Sequence, residues 1–593
     1  MTFYNSRSFL RFFCIIFRFI FIILAILKSI KSDQKGSFVL KTFPFFIFLL
    51  FNISAAFANG LALSNMTLVN RDTTAHTYDV QLDITWNNSW FITGAPSSTA
   101  NWDAAWVFVK YSVWDTGTSA WGDWNHCTLS KTPGNYTAPT GSQIAIGCSP
   151  SQTCGGSDAA TGVFIYRNAA GTGSVSWSGA KLRWLYGTDG VGDGAQVRIQ
   201  AFGIETVYIP QGAFYAGSGG TESGSFTNGS WVSGATVPFL ISSEATLTIA
   251  HTAGNLWGTS TSGPNSIGGA GSLPAAFPKG YAPFYIMKYD LSQGQYRDFL
   301  NTLTRTQQNA RTKIQTPGGA YALSGAASGA DITTCGAGTT PAYMCRNAIR
   351  LPSVLPGTSV RLVFGVDYDK NGTPNQSTDG EWIALNWVSW DDQCAYADWA
   401  GLRPFTELEY EKAARGPVNP PTANEYAWGS TGDDCTTVYT LTNPGTTSET
   451  MSTGTRCTSK GNLGDASTTP ATGPLRVGAF AAGAATKNRR ETGGSYYGVM
   501  ELSGNLWKRP VSVGEATVGR LFTGGHGDGS LSVAGAANVS TWPAGATPTG
   551  SGFRGGAWYN ASAYGRVSDR ISAASVNAAR YGYYGGRCSR TSP

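Results

Sequence analysis

Residues 399–416 read Trp399-Ala400-Gly401-Leu402-Arg403-Pro404-Phe405-Thr406-Glu407-Leu408-Glu409-Tyr410-Glu411-Lys412-Ala413-Ala414-Arg415-Gly416, and they decide how the C-terminal part of the chain folds. Thr406-Glu407-Leu408-Glu409 is a helix-starting box, in which the Thr side chain and the acid three residues on satisfy each other's free backbone N–H groups. Gly416 and Pro417 end that helix after Arg415. Just upstream, Ser389-Trp390-Asp391-Asp392 caps another helix, which carries Ala395 and Trp399 and stops at Gly401. Further back, Ser292-Gln293-Gly294-Gln295 opens a third, with Tyr296, Phe299, Leu300 and Leu303 at helical spacing. The remainder of 204–593 is rich in Gly, Thr and Pro, so a few helices among short strands and loops predict an irregular α+β domain.

Residues 59–203 read differently. Tyr78–Ile84, Ala105–Tyr111, Val163–Tyr166, Lys181–Trp184 and Val197–Gln200 alternate apolar and polar residues between turn signals, which predicts an all-β sandwich. Its Trp and Tyr residues read first as core, and the module as one for presentation or adhesion. A chain of 593 residues with 75 Gly, 12% aromatic and only 13% charged residues fits several β- and loop-rich extracellular modules.

Residues 1–58 read as an export leader. Phe9–Leu27 is an apolar run broken by Arg11 and Arg18, which is a candidate membrane anchor. Phe43–Phe57 follows Lys41 and ends Ala55-Ala56-Phe57-Ala58, a small-x-small cleavage signature. The expected location is therefore periplasmic, cell-surface or secreted. The leader holds seven of the 42 basic and one of the 36 acidic residues, leaving 35 of each beyond it. That balance carries no electrostatic footprint for nucleic acid, which we exclude as a partner. Nine cysteines follow the leader and are disulfide candidates in an exported chain. Cys335–Cys345 and Cys435–Cys457 are plausible local staples, and one of Cys127, Cys148 and Cys154 is left over. With four His and no CxxC, a zinc or His-bound iron site is not expected.

Val207–Phe214, Pro283–Tyr289, Asn386–Asp392, Trp399–Gly416, Tyr497–Trp507, Arg554-Gly555-Gly556-Ala557-Trp558 and Gly586-Arg587-Cys588 resemble, in order, the signatures of the formylglycine-generating enzyme (sulfatase-modifying factor) family. The resemblance covers most of 204–593, with insertions near 217–280 and 310–380, and implies a C-type-lectin-like α+β fold. In that family the oxidase uses two copper-binding cysteines just beyond the Arg-Gly-Gly block. The corresponding positions here are Asn560 and Gly565, neither of which supplies a thiolate. No catalytic residue and no metal ligand is therefore assigned. The family's calcium loop contains Asn505, but Lys508 stands where an acid commonly follows the Trp. A family disulfide implies a Cys394–Cys588 bond, with Cys394 about one helical turn from the usual position.

Several other constellations read as structural. Asp367-x-Asp369-x-Asn371-Gly372 resembles half a calcium loop, yet Thr378 sits where position twelve needs a Glu. It reads as a polar turn, with calcium as the one candidate cofactor. Glu407, Glu409 and Glu411 read as capping and dipole residues, His526 as a structural loop histidine, and Asp569-Arg570 as a scaffold pair.

Residues 552–593 hold the expected function. Trp558, Tyr559, Asn560, Ser562, Tyr564, Asn577, Arg580, Tyr581, Tyr583 and Tyr584 form a Tyr-, Ser- and Asn-rich set, the chemistry of an adaptable binding surface. The expectation is an exported protein that binds an unidentified protein or glycan through this surface. A subset of the family resembles the variable proteins of diversity-generating retroelements, which place their rewritten codons at the C-terminus. The alternatives are a formylglycine-generating-type oxidoreductase with a non-standard site, and a structural spacer.

Overall fold

The computed structural model describes residues 60–94, 100–230, 236–313, 321–325, 345–432, 440–452, 463, 473–484, 486 and 488–593. The leader, Cys335, Cys435 and Cys457 lie outside them. The described residues fall in one unit, Ile53–Pro593.

Nine strands dominate the main sheet: β1 (Ala62–Asp72), β2 (Thr77–Ile92), β3 (Asn101–Asp115), β4 (Ser142–Ser149), β5 (Ala159–Arg167), β6 (Gly171–Trp184), β7 (Val197–Ile209), β8 (Phe284–Met287) and β9 (Ser589–Thr591). Every segment read as alternating falls within one of the first seven. The sheet order is β1-β2-β3-β7-β8-β9, with β6 on β2, and β5 on β3 and β4. All of these pairs are antiparallel: β3 meets β7 from Asp103 opposite Val207 to Val113 opposite Val197, and β8 pairs with β7 and with the chain's last strand. Residue 203 lies inside β7, so the sheet runs without a break across the boundary read from the sequence.

Alternation along β3 explains how the two parts join, because successive side chains point to opposite faces of a strand. Val107 and Val109 pack with Leu82, Ile84, Trp86 and Trp184. Trp106 and Phe108 pack with Phe202, Ile204, Tyr285 and Trp399. The Trp106 indole donates to the Ala400 carbonyl at 2.7 Å, and the buried Lys110 ammonium donates to that of Trp399 at 2.8 Å.

The four longest helices among the described residues are α1 (Gln293–Thr302), α2 (Arg305–Arg311), α3 (Trp390–Trp399) and α4 (Glu407–Arg415). α1, α3 and α4 begin at Ser292, Ser389 and Thr406 with complete capping boxes, as their sequences predict. α4 ends at Gly416, whose positive φ of +73° glycine adopts without the steric cost a Cβ would bring. α2 was not expected, although Thr304 and Gln307 form its capping box too. Among the described residues, no helix is long and apolar enough to cross a membrane.

Candidate functional site

The C-terminal segment is fastened to α4 by buried charge. Arg554 of the Arg-Gly-Gly block donates to Glu407 at 3.0 Å and to Glu411 at 2.7 Å. Arg570 donates to Glu407 at 2.8 Å, and Arg415 to Glu411 at 3.2 Å. All five side chains are fully buried. Burial alone would raise the Glu407 carboxyl, but Arg570 and Arg554 outweigh it and hold the group below its ordinary range. Glu407 and Glu411 are thus an ion-paired platform rather than dipole partners. Glu409 does cap the helix and also takes Arg403. Asp569 and Arg570 are scaffold residues but not a pair: Asp569 accepts from the Ser223 and Ile571 N–H groups.

The same C-terminal segment carries the tyrosine face. The rings of Tyr559 and Tyr583 stack 5.4 Å apart at 10°. Tyr581 continues the stack at 5.4 Å from Tyr583 and 20°. All three are partly exposed. Gly582 lies between two of them because there is no space for more: a Cβ there would come within 2.5 Å of the Cys345 sulfur. Cys345 is disulfide-bonded. Asn560, Ser562, Tyr564, Asn577 and Arg580 are half-buried. The buried Asn560 Oδ1 finds no donor among the described residues.

Two members of the expected set face inward. Trp558 is 2% exposed and donates its indole N–H to the Gly582 carbonyl at 3.2 Å. Tyr584 stacks on Phe553 at 4.4 Å, lies under the Arg509 guanidinium, and accepts from Asn577 at 3.2 Å. Arg580 is an anchor: its guanidinium donates to both oxygens of Asp392, at 2.6 and 2.7 Å.

The positions that would carry the family's thiol pair are built for something else. A Cβ on Gly565 would meet the Leu463 Cδ1 at 2.3 Å, so Leu463 fills the place of a side chain there. Asn560 offers only an amide. A soft copper ion prefers thiolate or thioether ligands, and this pair of positions does not fit it. Among the described residues the free cysteines are Cys127, Cys394 and Cys588, all buried, and burial pushes each thiol above its ordinary range.

The cysteine pairing differs from expectation in part. Cys148 and Cys154 form a disulfide, which leaves Cys127 as the odd one of the first three, as expected. Cys394 and Cys588 share the apolar core as separate thiols. A one-turn displacement along α3 moves a residue about 5.4 Å, close to the whole Cα–Cα span a disulfide allows.

Lys508 explains the altered calcium loop. Its buried ammonium donates to the Gly504 carbonyl oxygen and stands 3.7 Å from Asp290, which also takes Arg587. Burial, chiefly, pushes Lys508 down to about 8. An ammonium on a carbonyl and a carboxylate oxygen takes the role of a metal ion in that loop, and no calcium fits beside it. His526 is likewise structural: it is buried, held neutral by burial, and its Nε2 accepts from the Thr591 N–H at 3.0 Å.

One feature was invisible in the sequence. A cavity of about 760 Å³ opens between Trp90 and Asn101 of β2 and β3 and Lys288, Tyr289, Arg489 and Tyr496. Its walls come from both sides of residue 203, and no single segment announces it.

Helix caps, the buried Arg–Glu platform and the Arg-Gly-Gly and Gly-Arg-Cys blocks together define a sulfatase-modifying-factor type of domain. The chain belongs to that family: its model, described as a sulfatase-modifying factor enzyme 1-like domain, matches residues 203–591. The chain is also similar to a formylglycine-generating enzyme of Streptomyces coelicolor, 41% identical over 73 residues. That match spans 12% of this chain and 20% of the relative's length.

Proposed function

We propose that this protein is an exported recognition protein that uses the sulfatase-modifying-factor scaffold to display a tyrosine face to a protein or glycan. The observation that carries this reading is the partly exposed Tyr559–Tyr583–Tyr581 stack at the end of the chain where the family's thiol pair is replaced by Asn560 and Gly565. Stacked tyrosines give wide amphipathic contact area with little rotamer entropy to lose. Export is supported by the leader and by the Cys148–Cys154 disulfide, a bond typical of oxidising compartments. The Tyr-, Ser- and Asn-rich make-up of this face also suits diversification by a retroelement. A near-copy of the coding stretch for 552–593, differing at adenines and accompanied by a reverse transcriptase gene, is the genomic sign of it.

The second reading, an oxidoreductase with a non-standard site, is favoured by the family and by the formylglycine-generating relative. One experiment separates the two. The purified chain is screened on glycan and surface-protein arrays and, in parallel, incubated with copper and a cysteine-bearing peptide. Array binding lost on changing Tyr559, Tyr581 and Tyr583 to Ala supports recognition. Conversion of the peptide cysteine to an aldehyde supports the oxidase and ends the recognition reading.

A further inference from the structure

We propose a calcium site in the insertion that follows strand Gly365–Val366, built by Asp367, Asp369 and Asp379. One oxygen from each of the three carboxylates lies within 4.8 Å of the others. Asp367 is 2% and Asp379 0% exposed, whereas Asp369 faces solvent. Cation access is therefore from the Asp369 side.

The observation that points to a ligand is the state of the buried oxygens. Among the described residues, no hydrogen-bond donor reaches the buried Asp367 Oδ1 or the buried Asp379 Oδ1. An orphaned buried carboxylate oxygen is costly, and two beside a third carboxylate are more so. Arg350 holds the other oxygen of Asp367. Asp369 accepts from the Asn371 N–H at 3.0 Å and the Thr378 hydroxyl at 2.7 Å, and Asp379 from the Gln376 N–H at 2.7 Å. Those are neutral donors, so the Arg350 guanidinium offsets one of three charges and a divalent cation balances the remaining two.

The sequence shows the first half of a calcium loop, with acids at positions one and three, Asn371 at five and Gly372 at six. Gly372 has φ +83°, as the turn at six requires. The missing element is the acid at position twelve, where Thr378 stands. Folding supplies it one residue later, because Asp379 is turned inward to complete the set. Three hard carboxylate oxygens suit calcium, magnesium or manganese rather than the softer metals, and a site open to solvent at Asp369 suits calcium over magnesium, which demands a tighter octahedral cage.

The test is calorimetric titration of the full chain, stripped of metal, with CaCl2 and separately with MgCl2, alongside thermal unfolding in each salt. One equivalent of calcium should bind and raise the melting temperature, with magnesium weaker. Asp369→Asn, at an exposed position that leaves the fold intact, should weaken binding by about tenfold or more, since charge count tunes such sites. Asp379→Asn should abolish it; if that variant fails to fold, the affinity of Asp369→Asn decides the matter. No calcium binding by the parent chain, undiminished binding by Asp369→Asn, or equal affinity for magnesium would each overturn the assignment.

Discussion

Arg580 clasps Asp392 through two hydrogen bonds of 2.6 and 2.7 Å, joining the loop that carries Tyr581 and Tyr583 to the first turn of α3. The same carboxylate caps α3 through Ser389 and meets Arg311 of α2 at 3.3 Å. One buried side chain therefore ties two helices to the loop that carries Tyr581 and Tyr583. Replacing Arg580 with Met strips a buried carboxylate of its closest cation, and breaking such pairs costs about 3 kcal/mol. Chemical denaturation should show that loss, together with faster hydrogen exchange across residues 577–584.

The same pair sets an acid limit. Burial works to raise Asp392, but Arg580 and Arg311 outweigh it and hold the group at about 2, against an ordinary 3.8. A carboxyl depressed in the folded state contributes stability that is complete above its unfolded value and lost as pH falls towards the folded one. Stability should therefore drop between about pH 4 and pH 2, and the Arg580→Met chain should show a shallower drop in that window. Parallel urea melts at stepped pH measure both slopes.

The tyrosines should divide by role. Changing Tyr559, Tyr581 and Tyr583 to Ala should remove ligand binding while leaving a cooperative melt, because each ring is partly exposed. Trp558→Ala should instead cost about 3–5 kcal/mol, the usual range for a large buried aromatic. Binding loss by the triple variant that merely tracks unfolding would contradict this division, and thermal melts of the two variants decide it.

Restoring the family's cysteines should not restore an oxidase. Asn560→Cys with Gly565→Cys places a side chain against Leu463, which a Cβ at 565 would approach to 2.3 Å. The expected result is a destabilised chain, by about 1–3 kcal/mol as for other overpacked sites, with no aldehyde formed on a cysteine peptide. Adding Leu463→Ala should recover the stability lost to the clash, which differential scanning calorimetry can follow.

Lys508→Met should be strongly destabilising, by about 3 kcal/mol, because it leaves Asp290 short of one buried cation. Added calcium should not rescue it, since the methionine side chain still fills the ammonium's place. A melting temperature that recovers with calcium would show that the metal role had not passed to the lysine.

The amino-acid order by itself determined the local elements and the family. Capping boxes at Ser292, Ser389 and Thr406 involve residues three apart, and alternation within β2, β3, β5, β6 and β7 involves neighbours, so both are readable along the chain. Tertiary structure decided the rest. Trp558 and Tyr584 turn inward while Tyr559, Tyr581 and Tyr583 stack outward, although all five look alike in a loop with no periodicity to sort them. Cys394 and Cys588 remain thiols, Arg570 reaches Glu407 rather than Asp569, and Asp379 closes a cluster although it stands one residue past the expected position. Each outcome depends on how residues far apart in sequence approach one another, and that distance is set by packing rather than by spacing.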